Sequence, residues 1–414
     1  MRKTIILSLI LVFIGLLSLN AQEMSFGLEQ RNRGEIGRGY KGIFGDNSGA
    51  GGLIWNRSRV IVGLASQYVD AKVTLQYNGM WGRSDKSSSN NNVVLYESYA
   101  NIKFGHGLAF KAGRQEMKYD EGRIISSPQW GNNGTSHDAM ILSYTNSNLK
   151  VHLGGAYNND AKNQEFFKTD TYGLASDKWY RSMFFGWGRY QFAHNVGLSA
   201  MYLNEGLLDE QGKTRYRSTY GGQLDYKDDA LTVTLSGYAQ AGHNYKNEKE
   251  GGFFLAGWAS YKFLPQFGVK LGYDYYSNDR DGHKGFSWLY GSPHNFGGYM
   301  DLWLENLHTI NGLHDAYLGV FGKGKHLGYS LDWHNFRMVK EFSSAEGKSL
   351  GNEIDFTLSY PFKEWITVDL GASLYVLTDA CRTVKKTSLD ATSFGYVTLT
   401  VKPSALKLAL KKQK

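Results

Sequence analysis

Two runs of charge near the start of the chain carry chemistry that the rest must position. Glu29, Arg31, Arg33 and Glu35 are spaced two apart, and so are Arg57 and Arg59. Residues two apart share one face of an extended strand, so the first run sets two guanidiniums between two carboxylates and the second adds two more. A guanidinium is permanently charged and offers a planar fork of N–H donors that matches a carboxylate bidentately. Lys103, Lys111, Arg114 and Arg123 follow, with Glu97 and Asp138 among the acids that could brace them. Such a set either lowers the barrier for anions along a wet wall or forms an ion-pair ladder that stiffens it. The two readings are compatible.

Other chemistry finds little footing. Asp279, Asp281 and Gly282 begin like a calcium loop, but Tyr290 occupies the twelfth position, where the bidentate acid belongs. The histidines are scattered without ligand spacing, and neither a nucleophile elbow nor a phosphate-binding glycine loop occurs. No catalytic residue, metal set or cofactor site follows. Cys381 is the single cysteine and cannot form an intramolecular disulfide.

The elements that position the charges are read from alternation. Arg2 and Lys3, the apolar run Ile5 to Leu19 and the small Ala21 form a secretory leader over residues 1–21. Beyond it no apolar run reaches the ~20 residues of a membrane helix. Tyr 28, Phe 22, Trp 10 and Gly 50 against Pro 5 suit aromatic-edged strands joined by tight turns. Around the hairpin from Lys111 to Tyr144, Leu108, Phe110 and Ala112 oppose Lys111, Gly113 and Gln115. Val94, Tyr96, Ala100, Ile102 and Phe104 likewise oppose Glu97, Asn101 and Lys103, while Ile354, Phe356, Leu358 and Tyr360 oppose Glu353, Asp355 and Thr357. Eight short turns and nine longer loops alternate between these segments, which predicts eighteen strands. That is the pattern of a transmembrane antiparallel β-barrel with short periplasmic turns and long extracellular loops. Asn295 to Leu304, inside the longest loop (278–312), is assigned to the loop, folded inward as a constriction, because bacterial barrels have even strand numbers.

One barrel domain spans residues 22–403, with a basic tail at 404–414. Register turns Arg31 and Arg33 away from Phe26 and Leu28, and Arg57 and Arg59 away from Val60, Val62 and Leu64, hence into the lumen. An arginine against lipid at mid-depth would cost roughly 2–4 kcal/mol. Arg114 and Arg123 are placed toward the extracellular mouth, Lys103 and Lys111 lower on the wall. Of the net charge of +8, two units lie on Arg2 and Lys3 and five on Lys402, Lys407, Lys411, Lys412 and Lys414, leaving the barrel near +1. The basic balance therefore does not point to nucleic acid.

Gly113-Arg114-Gln115, Gly122-Arg123, Trp130 and His137-Asp138, then Phe286, Leu289-Tyr290-Gly291, His294, Phe296 and Gly298-Tyr299-Met300-Asp301, resemble the alginate export family of outer-membrane porins. Asp315-Ala316-Tyr317-Leu318 and Gly351-Asn352-Glu353-Ile354-Asp355 are similar as well. The resemblance implies an eighteen-stranded barrel and an arginine-rich lumen that conducts a polyanionic uronate, onto which Arg31, Arg33, Arg57, Arg59, Arg114 and Arg123 map. The chain departs from typical outer-membrane barrels in not ending on an aromatic residue, so Phe394 to Val401 must serve the barrel assembly machinery from an internal position.

The reading is a passive porin of the bacterial outer membrane, not an enzyme, with an anion-selective lumen for small acidic solutes, uronates or acidic saccharides among them. Its surroundings are outer-membrane lipid and lipopolysaccharide. The alternative is a plugged, adhesin-like or receptor-like barrel that binds a partner through aromatic loop residues: Phe166, Phe167, Tyr172, Trp179, Phe286, Trp288 and Tyr290.

Overall fold

The computed structural model describes residues 21–43, 49–82, 92–158, 180–209, 211–303 and 310–409. The expected leader up to residue 20, and Phe166, Phe167, Tyr172 and Trp179, lie outside them. The strands are β1 (Ala21–Gly37), β2 (Gly51–Ser66), β3 (Val69–Met80), β4 (Asn92–Gly105), β5 (Leu108–Gln115) and β6 (His137–Thr145). They continue as β7 (Leu149–Tyr157), β8 (Ser182–Ala193), β9 (Val196–Leu208), β10 (Thr214–Lys227), β11 (Leu231–His243) and β12 (Phe253–Leu264). The circuit is completed by β13 (Phe267–Tyr276), β14 (Leu313–Lys323), β15 (Gly328–Arg337), β16 (Ser349–Lys363), β17 (Ile366–Leu377) and β18 (Ala391–Val401).

Each strand pairs antiparallel with the next, and β18 returns to β1 from Gln30↔Val401 to Gly37↔Phe394. The result is a closed eighteen-strand barrel, as the alternation predicts. Closure leaves no edge of unpaired backbone groups in the lipid. Leu406–Ala409 adds a short strand that pairs with β1 at Glu23 to Phe26, beyond the end of β18. Leu28, Met140, Leu271, Leu318 and Ile354 stand exposed on the outer surface, where lipid covers them. Among the turns, Gly107 (φ +81) accepts a left-handed conformation in which a Cβ would lie 1.9 Å from the Thr145 carbonyl oxygen.

One side chain departs from the expected alternation. Tyr96, placed by period two on the lipid face, is 3% exposed and turned inward. The pairing steps from Thr74↔Glu97 to Leu75↔Leu95, so Tyr96 is the extra residue of a bulge. Leu95 takes its place on the outside.

The apolar core lies inside the barrel rather than between layers. Residues 116–136 and the long loop after β13 fold into the lumen, burying Met117, Ile124, Ile125, Phe286, Met300, Leu302 and Trp303 against inward-facing Phe185, Leu203, Phe254 and Tyr375. The two loops join through a parallel bridge between Ile125 and Tyr290. The Ser126 amide donates to the Tyr290 carbonyl at 2.8 Å and the Tyr290 amide to the Ile124 carbonyl at 3.0 Å. Asn295 to Trp303 is loop folded inward, not a strand.

The two faces of the wall predict opposite responses to charge. Leu318→Arg, outward in the middle of β14, lowers unfolding free energy by about 2–4 kcal/mol in lipid refolding titrations. Thr357→Arg, inward on β16, gives up the Ser330 hydrogen bond and costs about 1 kcal/mol. Equal losses at the two positions would contradict the assigned orientation.

Candidate functional site in the barrel lumen

The alternation of β1 and β2 brings Glu29, Arg31, Arg33, Arg57 and Arg59 together inside the barrel, each 8% exposed or less. Direct cross-strand pairing sets Arg31 opposite Arg57 and Glu29 opposite Arg59. Two carboxylates answer the four guanidiniums. Arg57 Nη2 reaches Glu29 Oε1 at 2.5 Å, and Arg33 Nε donates to Glu35 Oε1 at 2.6 Å. Glu97 faces the lumen but is taken by Lys72 at 2.5 Å and by the Thr74 hydroxyl at 3.1 Å.

The surplus of donors is spent on the backbone of the first inward loop. Arg31 donates to the carbonyls of Gln129, Trp130 and Gly131, the last two at 3.2 Å, and to Asn132 Oδ1 at 2.6 Å. Arg33 Nη1 donates to the Trp130 carbonyl at 2.6 Å, and its guanidinium lies 4.1 Å from the centre of the Trp130 ring. Arg59 donates to Gln76 Oε1 at 2.6 Å and Gln129 Oε1 at 2.9 Å, and rests 4.2 Å over the inward-turned Tyr96. These arginines therefore both face the lumen and clamp a loop.

The other end of that loop is held by Arg123, which acts as a tether. It forks onto Asp274 of β13 at 2.5 and 3.1 Å and packs 3.7 Å over Phe296. Burial opposes its charge, but Asp274 outweighs burial and raises the pKa above the ordinary arginine value. On the same loop, burial pushes the carboxyls of Asp120 and Glu121 upward.

Asp274 belongs to an acidic wall on β13–β16 that sequence reasoning did not single out as a site. Asp274, Asp315, Asp332, Glu353 and Asp355 are all 1% exposed or less. This wall receives the second inward loop through its amides: Met300 N–H donates to Glu353 Oε1 at 2.7 Å and Tyr299 N–H to Asp355 Oδ2 at 3.3 Å. Gly298 (φ +79) permits the approach, since a Cβ there would lie 2.6 Å from the Glu353 carboxylate. His334 accompanies Asp315 at 2.9 Å, and Lys270 reaches Asp332 at 3.0 Å. The signal was present in Glu353-Ile354-Asp355, which has the spacing of Arg31-Asn32-Arg33.

The loops meet between the two walls, where His294 stacks on Trp130 at 3.8 Å. Beside this contact a cavity of about 930 Å³ is bordered by the four arginines, Trp130, His294, Tyr299 and Tyr396. Across Glu116 lies a smaller cavity of about 250 Å³, lined by Asp70, Lys111, Tyr119 and His152. Lys111 sits 3.8 Å over Tyr99, and Lys103 pairs with Asp70 at 2.6 Å.

Two further expected lumen residues face outward. Arg114 and Asp138 form a bidentate pair at 3.0 and 2.6 Å, side by side on β5 and β6. They share the face of Met140, Leu142 and Tyr144, which is the lipid face, and their side chains are 41% and 48% exposed. The reason is parity: Arg114 is an even number of residues from Phe110 and Ala112, whereas Lys111 and Gln115 point inward. The aromatics of the alternative loop-binding reading that are described also turn in, with Phe286 3% and Tyr290 8% exposed.

A model of the alginate export family matches residues 23–314. Among curated proteins none matches the chain. Among solved structures it is similar to Pseudomonas aeruginosa OpdO, with TM-score 0.68 and 11% identity over 94% of this chain and 99% of that one. It is also similar to Acinetobacter baumannii OccAB1, with TM-score 0.64 and 12% identity over 93% and 97%. At such identities the likeness concerns the fold, and the family rests on the sequence match. The chain belongs to the alginate export family, and it is a porin barrel of the bacterial outer membrane rather than an enzyme.

Proposed function

We propose that the lumen is a passive diffusion path that prefers small anionic solutes, with uronates and acidic saccharides as the substrate class. The observation that carries this reading is the border of the larger cavity, where Arg31, Arg33, Arg57, Arg59, Lys72 and Lys402 outnumber Glu29, Glu97, Glu116 and Asp369. Arginines already bonded to a loop backbone keep their full charge, so an anion in the cavity meets an attractive wall without the site having to reorganise. The ring faces of Trp130, His294, Tyr299 and Tyr396 beside them suit a solute with a ring and a carboxylate. Entry needs attraction and exit needs weakness, and Glu29 and Glu35 moderate the former.

Single-channel recording in planar bilayers tests the proposal. Steady conductance, a reversal potential in a salt gradient that reports anion preference, and block by oligouronates are the expected results. Cation preference would overturn it, and absence of conductance from folded barrel would favour the plugged alternative. The double variant Arg57→Ala/Arg59→Ala is expected to reduce the anion-to-cation permeability ratio at least about twofold; an unchanged ratio would leave these arginines a purely structural role.

The loop tethers give a separate expectation. Asp274→Asn takes the bidentate counter-charge from buried Arg123 and leaves it Glu121 at 3.7 Å, and breaking a buried pair in this way costs roughly 3–5 kcal/mol if the loop stays in place. Release of the loop relieves that cost, so conductance rises and becomes noisier. Gly298→Val, which collides with Glu353, acts in the same direction through the other loop. Parental conductance in both variants would show that the loops do not set the constriction.

A further inference from the structure

The outer face of β14–β16 carries two cations that the lumen does not use, Arg337 and Lys348, beside His314. His314 pairs across the sheet with Arg337, and Arg337 with Ser349, the first residue of the third strand, which Lys348 immediately precedes. All three positions lie at the end of the strands opposite the short turns, the extracellular rim. His314 and Arg337 share the outward parity of Leu318, Leu331 and Trp333. Arg337 is exposed and has no carboxylate partner among the described residues, and Lys348 Nζ is held by the Val339 carbonyl at 2.8 Å. Two acids of the neighbouring loops are engaged elsewhere: Asp279 takes Lys340 at 2.9 Å, and Glu341 accepts from the Gly347 amide. The charged side chains that act on His314 are Arg337 and Lys348, both cationic. By contrast, Arg114 on the same outer surface is neutralised by Asp138.

One step below the cations, Asn335 and Asn352 join at 2.9 Å on the outer face. Tyr273 bonds His314 from the neighbouring strand, and Tyr275 meets its ring edge-on at 5.0 Å. Further down the surface becomes apolar through Trp333, Leu331 and Ile354. Unpaired cations above, amides and phenols between, and bare hydrocarbon below match the order of groups in a phosphorylated lipid: phosphate, sugar headgroup, acyl chain.

We propose that the rim of β14–β16 binds a phosphorylated glycolipid of the outer leaflet, its phosphate on Arg337 and Lys348 and its acyl chains against Trp333 and Ile354. Like charges gathered at a lipid interface repel one another unless a counter-anion is supplied, and the outer leaflet supplies it. The site is separate from the lumen and does not depend on which solute crosses it.

The test is binding of bis-phosphorylated lipid A to the full barrel in detergent micelles, followed by native mass spectrometry, with dephosphorylated lipid A and inorganic phosphate as comparison probes. Bis-phosphorylated lipid is expected to bind the parent protein about tenfold or more tighter than its dephosphorylated form. Arg337→Ala/Lys348→Ala is expected to remove that preference, and Arg337→Lys/Lys348→Arg to keep it. Equal binding of both lipids by the parent barrel overturns the proposal without recourse to any variant. Displacement of the lipid by inorganic phosphate at matching concentration also overturns it, by making the rim a general anion site.

Discussion

Backbone N–H and C=O groups at membrane depth must find partners within the protein or in a wet cavity. The wall meets this demand by closing β18 onto β1. Apart from the bridge between Ile125 and Tyr290, the loops that descend into the lumen have little ladder to join, so side chains answer much of their backbone. The arginines of β1 and β2 supply donors to the carbonyls of residues 129–131, and the carboxylates of β16 supply acceptors to the amides of Tyr299 and Met300. The charged lumen and the inward fold of the loops are thus one arrangement seen from two sides.

That arrangement separates charge across the interior. Guanidiniums gather on β1–β2 and carboxylates on β13–β16, with β17 and β18 between them. Each set is matched in part by groups of the loops: Arg123 goes to the acidic wall, and the carbonyl oxygens of 129–131 go to the basic one. The cavity of about 930 Å³ opens at the basic side, which is why its border is cationic although the barrel as a whole is close to neutral. The sign of the field a solute meets is set by where the loops lie rather than by composition.

The strand pattern was legible because lipid imposes period two on every crossing segment. The direction of Arg31, Arg33, Arg57 and Arg59 followed from Phe26, Leu28 and Val60 alone. What escaped was whatever breaks or ignores that period. Tyr96 reversed its face through a bulge, which alternation cannot register because it counts residues and not pairs. Arg114 and Asp138 were assigned inward because charge was weighted above parity, yet a bidentate pair at the rim is tolerated on the outside. Arg123 lies in a loop, where no periodicity applies, and its partner Asp274 is 151 residues away. The acidic wall was visible as inward-facing positions, but nothing in one sequence indicates that two distant loops need acceptors there.

The seam that closes the barrel is fastened in two stretches. β18 covers Gln30 to Gly37, and Leu406–Ala409 covers Glu23 to Phe26. Gly27, Leu28 and Glu29 fall between the two stretches of strand pairing, where the chain opposite passes through Pro403, which has no N–H to give, although the Lys402 ammonium still reaches Glu29 across the seam at 3.7 Å. Here the ladder is interrupted for three residues, and the short strand Leu406–Ala409 restores the pairing beyond the gap.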